Sequence, residues 1–362
     1  MQQCTRIRGY SRHSIGSPYL HEREAHARSM RDWSRMLRSW IAVLPIAVLG
    51  DCCPRGLLSC TRAQSQRGHG AYRAISRICA STAGSVSHQL VSPSQLSHMV
   101  RHGPVMQFGV YLGGTGGHIN AAWNHSVPYI GFDSFAGLPS EARDDGPAPR
   151  DWHQGGYAVR HDTAKLVNGT RVMVSAKSKL PQAMKGIREK LGGQSRQHLG
   201  DGDGIEFVKG FYSASLTQPL AASILAKHGA AGYVDIDCDL YISSVQAMDW
   251  MFRHGLAVPG TVFGYDDWLA KPCYQLKLQR HNESTLSIEH FGGEARAHVE
   301  MTRKYKVAFQ CICGPCVADA AIEKSNYRPY FVVQSVGERA DTGYFEGKQL
   351  FDWLTRFCSL KG

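Results

Sequence analysis

The chain is expected to fold as an α/β domain built on a mostly parallel sheet with helices on both faces. Three observations predict this. Short apolar runs alternate with stretches of helical length from about residue 95 onward, a glycine-rich turn follows the first run directly, and carboxylates gather just past the ends of later runs. Alternating strand and helix periods call for crossover connections and hence parallel strands. Such sheets bind ligands in the crevice outside the carboxyl ends of their strands.

The order of elements begins after an N-terminal extension. Residues 1–90 are rich in Arg, Ser, His and Gly, show little periodicity, and are set apart as a disordered or targeting segment; the folded domain is expected over 91–362. The apolar run Trp40–Leu49 is too short to span a bilayer and contains Pro45, so no stable membrane span is expected. Its arginine-rich flank suits a targeting signal, which leaves a soluble protein of the cytoplasm or an organelle. Strand-like runs then appear at Val105–Val110, Tyr129–Phe132, Ile205–Val208, Gly232–Ile236 and Thr261–Phe263, with helical stretches at 215–228 and 242–254. The last two runs, Lys306–Cys311 and Tyr330–Ser335, have no long helix between them and are expected to pair antiparallel at one sheet edge. Residues 140–200 are polar and too long for a simple connection, which marks a lid or substrate-binding insertion. The stretch 344–358 reads as an amphipathic helix, for the core or for the interface of a homo-oligomer.

The turn QFGVYLGGTGG (107–117) places Gly109, Gly113 and Gly114 between the first strand and a helix. Glycines there accept positive φ and let a ligand approach the backbone, and the helix N-terminus offers free N–H groups. Asp133 in YIGFDSFAGLP (129–139) follows the second strand, with Ser134 beside it. An acid roughly 20 residues past such a turn is placed to bind the ribose of a nucleoside. In YVDIDCDLY (233–241), Asp235, Asp237 and Asp239 alternate, which puts them on one face of an extended chain. Asp266 and Asp267 follow the next strand. Like charges so close need compensation, and oxygen-only ligands suit Mg²⁺ or another divalent cation.

These residues match a known pattern. FGVYLGG (108–114), GFDSFAGLP (131–139), Trp152 with Gly155, VKGFYSASL (208–216), VDIDCDLYISS (234–244), VPGTVFGYDDW (258–268), GGEARA (292–297) and YFVVQSVG (330–337) together resemble the macrocin-O-methyltransferase-like (TylF, MycF and NovP type) family of S-adenosylmethionine-dependent methyltransferases. The resemblance implies a Rossmann-like seven-stranded, mostly parallel sheet with an antiparallel final strand. It implies that Gly109, Tyr111, Gly113 and Gly114 hold S-adenosyl-L-methionine, with Asp133 and Ser134 at its ribose. Asp237, Asp266 and Asp267 would hold the metal, Asp239 would be the general base, and Trp152 and His153 would lie in the lid over substrate. Relatives commonly carry Glu at the position of Gln107, where it orients the cofactor's amino group; Gln accepts a hydrogen bond but supplies no charge. The implied activity is metal-assisted O-methylation of a hydroxyl on a sugar or small natural product. The alternatives are another small-molecule methyltransferase, with a nitrogen or other oxygen acceptor, and a catalytically degenerate cofactor-binding module.

Bulk composition narrows the field. The formal net charge is +11, yet residues 1–38 alone hold eight arginines against three acids, so much of the excess lies outside the domain and no nucleic-acid partner is expected. Eleven cysteines at irregular spacing show no framework and suggest a reducing compartment. The CGPC of residues 313–316 follows a late strand and lacks the setting of a redox site.

Overall fold

The computed structural model describes residues 70–80, 91–143, 149, 152–159, 163–167, 170–174, 180–192, 204–278, 287–314, 328–338 and parts of 350–358. Its main sheet has seven strands: β1 (Val105–Phe108), β2 (Tyr129–Asp133), β5 (Ile205–Lys209), β6 (Tyr233–Ile236), β7 (Val262–Tyr265), β8 (Ala308–Cys313) and β9 (Tyr330–Ser335). Their spatial order is β5-β2-β1-β6-β7-β9-β8. The first five run parallel, while β9 lies antiparallel between β7 and β8. The expected antiparallel pairing of the last two runs is thus present, with β8 rather than β9 at the edge. Strands β3 (Thr163–Val167) and β4 (Thr170–Val174) form a separate antiparallel hairpin inside the polar 140–200 region, followed by a helix, Leu180–Gly192.

The central strands are short and mostly apolar, with Gln107 in β1 and Asp235 in β6 as the polar exceptions. Every residue of β1, β6 and β7 is buried, as parallel strands covered on both faces require. The face is closed by helix α7 (Tyr241–Arg253), whose Ala247, Met248, Met251 and Phe252 are buried, and by α9 (Gly293–Tyr305), which packs on it. Helix α6 (Gln218–His228) starts where Thr217 accepts a hydrogen bond from the Leu220 amide and Pro219 opens the first turn. Of the remaining helices, α1 spans 70–80, α2 Pro93–Met99, α3 Gly114–Ala122, α4 Leu180–Gly192, α5 Tyr212–Ser215 and α8 Ala270–Leu278.

Packed structure begins ahead of residue 90. Ala71, Ala74, Ile75 and Ile78 of α1 are buried in a cluster with Val105, Tyr129 and Val332. At the other end, Leu350, Leu354 and Cys358 stand four residues apart and are all buried in the main core. Two disulfides close these ends: Cys79–Cys313, with Cα atoms 6.0 Å apart, and Cys273–Cys358, at 5.1 Å. This corrects the expectation that the cysteines form no framework. The partners are 234 and 85 residues apart, so no local spacing betrays them. The cross-links also remove the ground for expecting a reducing compartment. Cys313 of the CGPC stretch is committed to Cys79. No helix among the described residues is long and apolar enough to cross a membrane.

Candidate active site

Chain order reverses at β1, which pairs with β2 on one side and β6 on the other. The C-terminal ends of these strands splay around a cleft of about 950 Å³. The glycine turn, the end of β2, the loops after β6 and β7, and the first turn of α7 all line it.

The turn is held by Asp133. The amides of Val110 and Tyr111 both donate to Asp133 Oδ2 at 2.8 Å, and the Phe135 amide donates to Oδ1 at 2.6 Å. A carboxylate offers about four acceptor positions, so three are used by the protein's own backbone and one remains for a ligand. Ser134 serves its own loop, donating to the Gly137 carbonyl at 2.9 Å and accepting from the Ala136 amide at 3.0 Å. Gly109 has φ +90°, and a Cβ there would collide with the Asp237 carbonyl oxygen, so the turn and the loop after β6 can touch only through glycine. Tyr111 has φ +47°. Gly113 caps α3 in the left-handed conformation, with no side-chain cap at that helix start. Gly109, Tyr111, Gly114, Asp133 and Ser134 line the cleft; Gly113 faces Ile187 instead.

Gln107, expected beside a cofactor amino group, is not among the residues that line the cleft. It is wholly buried beneath the turn, where it accepts from the Tyr129 hydroxyl and donates to Asp235 Oδ2 at 3.2 Å and Asp237 Oδ2 at 3.5 Å.

The acids divide into two levels. Asp235 is fully buried, bonded by Tyr233 and Gln107, and burial pushes its carboxyl up to about 6 against the pull of Arg328. Asp237 lies just past β6; burial and the nearby Asp266 and Asp235 carboxylates hold its pKa well above the usual range. The expected alternation on one face holds for these two, since both meet Gln107. It ends there because Asp239 turns into the left-handed region at φ +61°. Asp239 meets Asp267 instead, and burial together with that carboxylate raises its pKa strongly. Asp237, Asp266 and Asp267 each offer an oxygen such that the three lie within 4.8 Å of one another, a donor set of hard oxygens that fits a divalent cation. Asp237, Asp239, Asp266 and Asp267 all line the cleft.

Trp152 and His153 do not line it. Trp152 is buried against Leu138 and Leu240, with Lys271 Nζ 5.8 Å from its ring centre, and His153 is exposed. Their neighbours Gln154, Gly155 and Tyr157 do line the cleft, and the Tyr157 ring meets Tyr111 edge-on at 5.7 Å.

Two side chains that sequence reading passed over complete the cluster. Glu294, at the start of α9, is fully buried and accepts from the Asp267 amide at 3.0 Å; burial and Asp267 raise its pKa strongly. Arg328, just ahead of β9, bonds Asp266 through Nη2 and lies 3.7 Å from Asp235 Oδ1 and 4.0 Å from Asp237 Oδ2. Only the antiparallel placement of β9 beside β7 brings it there.

No protein-family model matches the chain, and no curated protein matches it. Among solved structures, it is similar to cofactor-bound Rv0187 from MTB, with 12% identity, a TM-score of 0.32, and coverage of 78% of this chain and 90% of that one. It is also similar to an O-methyltransferase family protein from Burkholderia thailandensis, with 12% identity, a TM-score of 0.32, and coverage of 77% and 61%.

Proposed function

We propose that the chain is an S-adenosylmethionine-dependent O-methyltransferase that acts, with a divalent cation, on a hydroxyl of a sugar or small natural product. One observation carries this reading: a single cleft at the chain reversal of the sheet collects the glycine turn, Asp133 and the three-carboxylate group Asp237, Asp266 and Asp267.

S-adenosylmethionine, when bound, would supply an electrophilic methyl group for in-line displacement by the acceptor oxygen. The turn at Gly109 to Gly114 would receive the methionine part, next to the free amides of α3. Asp133 would use its remaining acceptor position for a ribose hydroxyl. A divalent cation, when held by Asp237, Asp266 and Asp267, would supply Lewis-acid polarisation of the acceptor hydroxyl. Asp239 lines the same cleft, and burial beside the Asp267 carboxylate raises its pKa, which strengthens it as a proton acceptor. Fixing the acceptor in line with the methyl group supplies much of the rate.

The test is calorimetric titration of the full chain with S-adenosylhomocysteine, with and without Mg²⁺. Saturable binding that Asp133→Ala removes supports the reading. A folded protein that binds no S-adenosylhomocysteine sinks it.

A further inference from the structure

Arg328 lies outside the lining of the cleft, yet its guanidinium meets three carboxylates of the acid cluster. Its backbone is fixed from two sides. The carbonyl of the next residue, Pro329, accepts from the Tyr265 amide at 3.3 Å, and Gly314 packs so closely on the Arg328 carbonyl oxygen that a Cβ there would collide with it. The side chain therefore leaves a well-placed stem just beyond β7 and carries its charge into the cluster, where only 19% of its surface is exposed.

From this geometry we infer that Arg328 is a built-in counter-cation of the cluster and competes with the divalent cation for Asp266. The inference rests on the proposed role of Asp237, Asp266 and Asp267. Nη2 bonds Asp266 Oδ1 and lies 4.0 Å from Asp237 Oδ2, so it draws on two of the three carboxylates that would hold the ion. A guanidinium and a divalent ion sharing two carboxylates repel each other, and a mostly buried pair is weakly screened by salt. Arg328 keeps other partners when Asp266 turns to the ion. Nη1 faces Asp235 Oδ1 at 3.7 Å, and Nη2 lies 3.5 Å from Thr115 Oγ1 in the first turn of α3. Arg328 thus holds the cluster together while no ion is bound and weakens the ion's hold when one arrives. Arg328 lies outside the lining of the cleft and acts through the carboxylates, so it is a positioning residue.

The experiment is Mn²⁺ titration of the full chain followed by electron paramagnetic resonance, for wild type, Arg328→Gln and Arg328→Lys. Arg328→Gln is expected to bind Mn²⁺ about tenfold or more tightly than wild type, and Arg328→Lys, which keeps the charge, close to wild type. Equal or weaker binding by Arg328→Gln overturns the inference. If Arg328→Gln does not fold, the arginine side-chain signals of ¹⁵N-labelled wild type serve instead. The signal missing from Arg328→Lys is expected to shift on Mg²⁺ addition, and its indifference overturns the inference. Equal Mn²⁺ affinity in all three proteins sinks the competition alone. A wild type that binds S-adenosylhomocysteine but no Mn²⁺ sinks the metal-assisted reading and this inference together, while leaving methyl transfer standing.

Discussion

Gln107 Nε2 lies 3.2 Å from Asp235 Oδ2, with both side chains wholly buried beneath the glycine turn. This pairing explains the amide at a position where a carboxylate would be expected. The amide donates to Asp235 and Asp237 while its oxygen accepts from Tyr129. A carboxylate could accept from Tyr129 but would add a further negative charge against two others.

Gln107→Glu is therefore expected to destabilise the protein by about 3 kcal/mol or more, through a buried charge set against the carboxylates of Asp235 and Asp237. The introduced carboxyl would have a folded-state pKa raised above its unfolded value. Its penalty then grows as pH rises and shrinks as pH falls. Urea denaturation of wild type and variant at pH 5 and pH 7.5 reads this directly. A gap that does not widen with pH would show that the pocket does not oppose a charge at residue 107.

Asp237 is costly in the folded state, because burial and the neighbouring Asp266 and Asp235 raise its pKa. Residues kept at such a cost serve function more readily than stability. Asp237→Asn is expected to abolish methyl transfer, leave S-adenosylhomocysteine binding intact, and stabilise the metal-free protein at neutral pH. Calorimetry and thermal melting in a chelating buffer separate the three effects. Turnover that survives in the variant without metal would remove Asp237 from the site.

The disulfide Cys79–Cys313 ties α1 to β8 across 234 residues. Closing so long a loop in the unfolded chain is expected to contribute about 2–5 kcal/mol. Cys79→Ser should lower the thermal midpoint and free α1, read as faster amide exchange at residues 70–80. Identical midpoints for wild type and Cys79→Ser under oxidising conditions would mean that α1 docks by its apolar face alone.

The sheet was legible because its central strands, covered on both faces, read as short, mostly apolar runs separated by stretches of helical length. Asp133, Asp237, Asp266 and Asp267 were legible because they sit at strand ends, where position along the chain implies position in space. Arg328 and Glu294 were not, since their role depends on where β9 and α9 dock rather than on neighbouring residues. Helix α1 carried a signal that its surroundings hid. Ala71, Ala74, Ile75 and Ile78 recur at helical spacing, inside a segment whose composition argued for disorder. The one-face alternation of Asp235, Asp237 and Asp239 failed at Asp239 because strand period gives no notice of a left-handed residue.

His298 offers a pH test independent of the acid cluster. It is buried among Trp268, Phe309 and Phe331; Nδ1 meets the Tyr265 hydroxyl at 2.8 Å, and Nε2 has no hydrogen-bond partner. Burial lowers its pKa from 6.5 to about 3. Between those values the unfolded chain binds a proton that the folded chain refuses. Stability from neutral His298 is thus fully present above pH 6.5 and is lost as pH falls toward 3, by about 1.4 kcal/mol per pH unit at most. Asp235, raised to about 6, acts in the opposite sense, so the comparison must be between wild type and His298→Asn, which keeps a polar partner for Tyr265. The variant is expected to be less stable at pH 7.5, and its deficit should shrink steadily from pH 6.5 to 4.5 in chemical denaturation. Parallel stability curves over that range would mean that His298 takes up its proton without leaving the core.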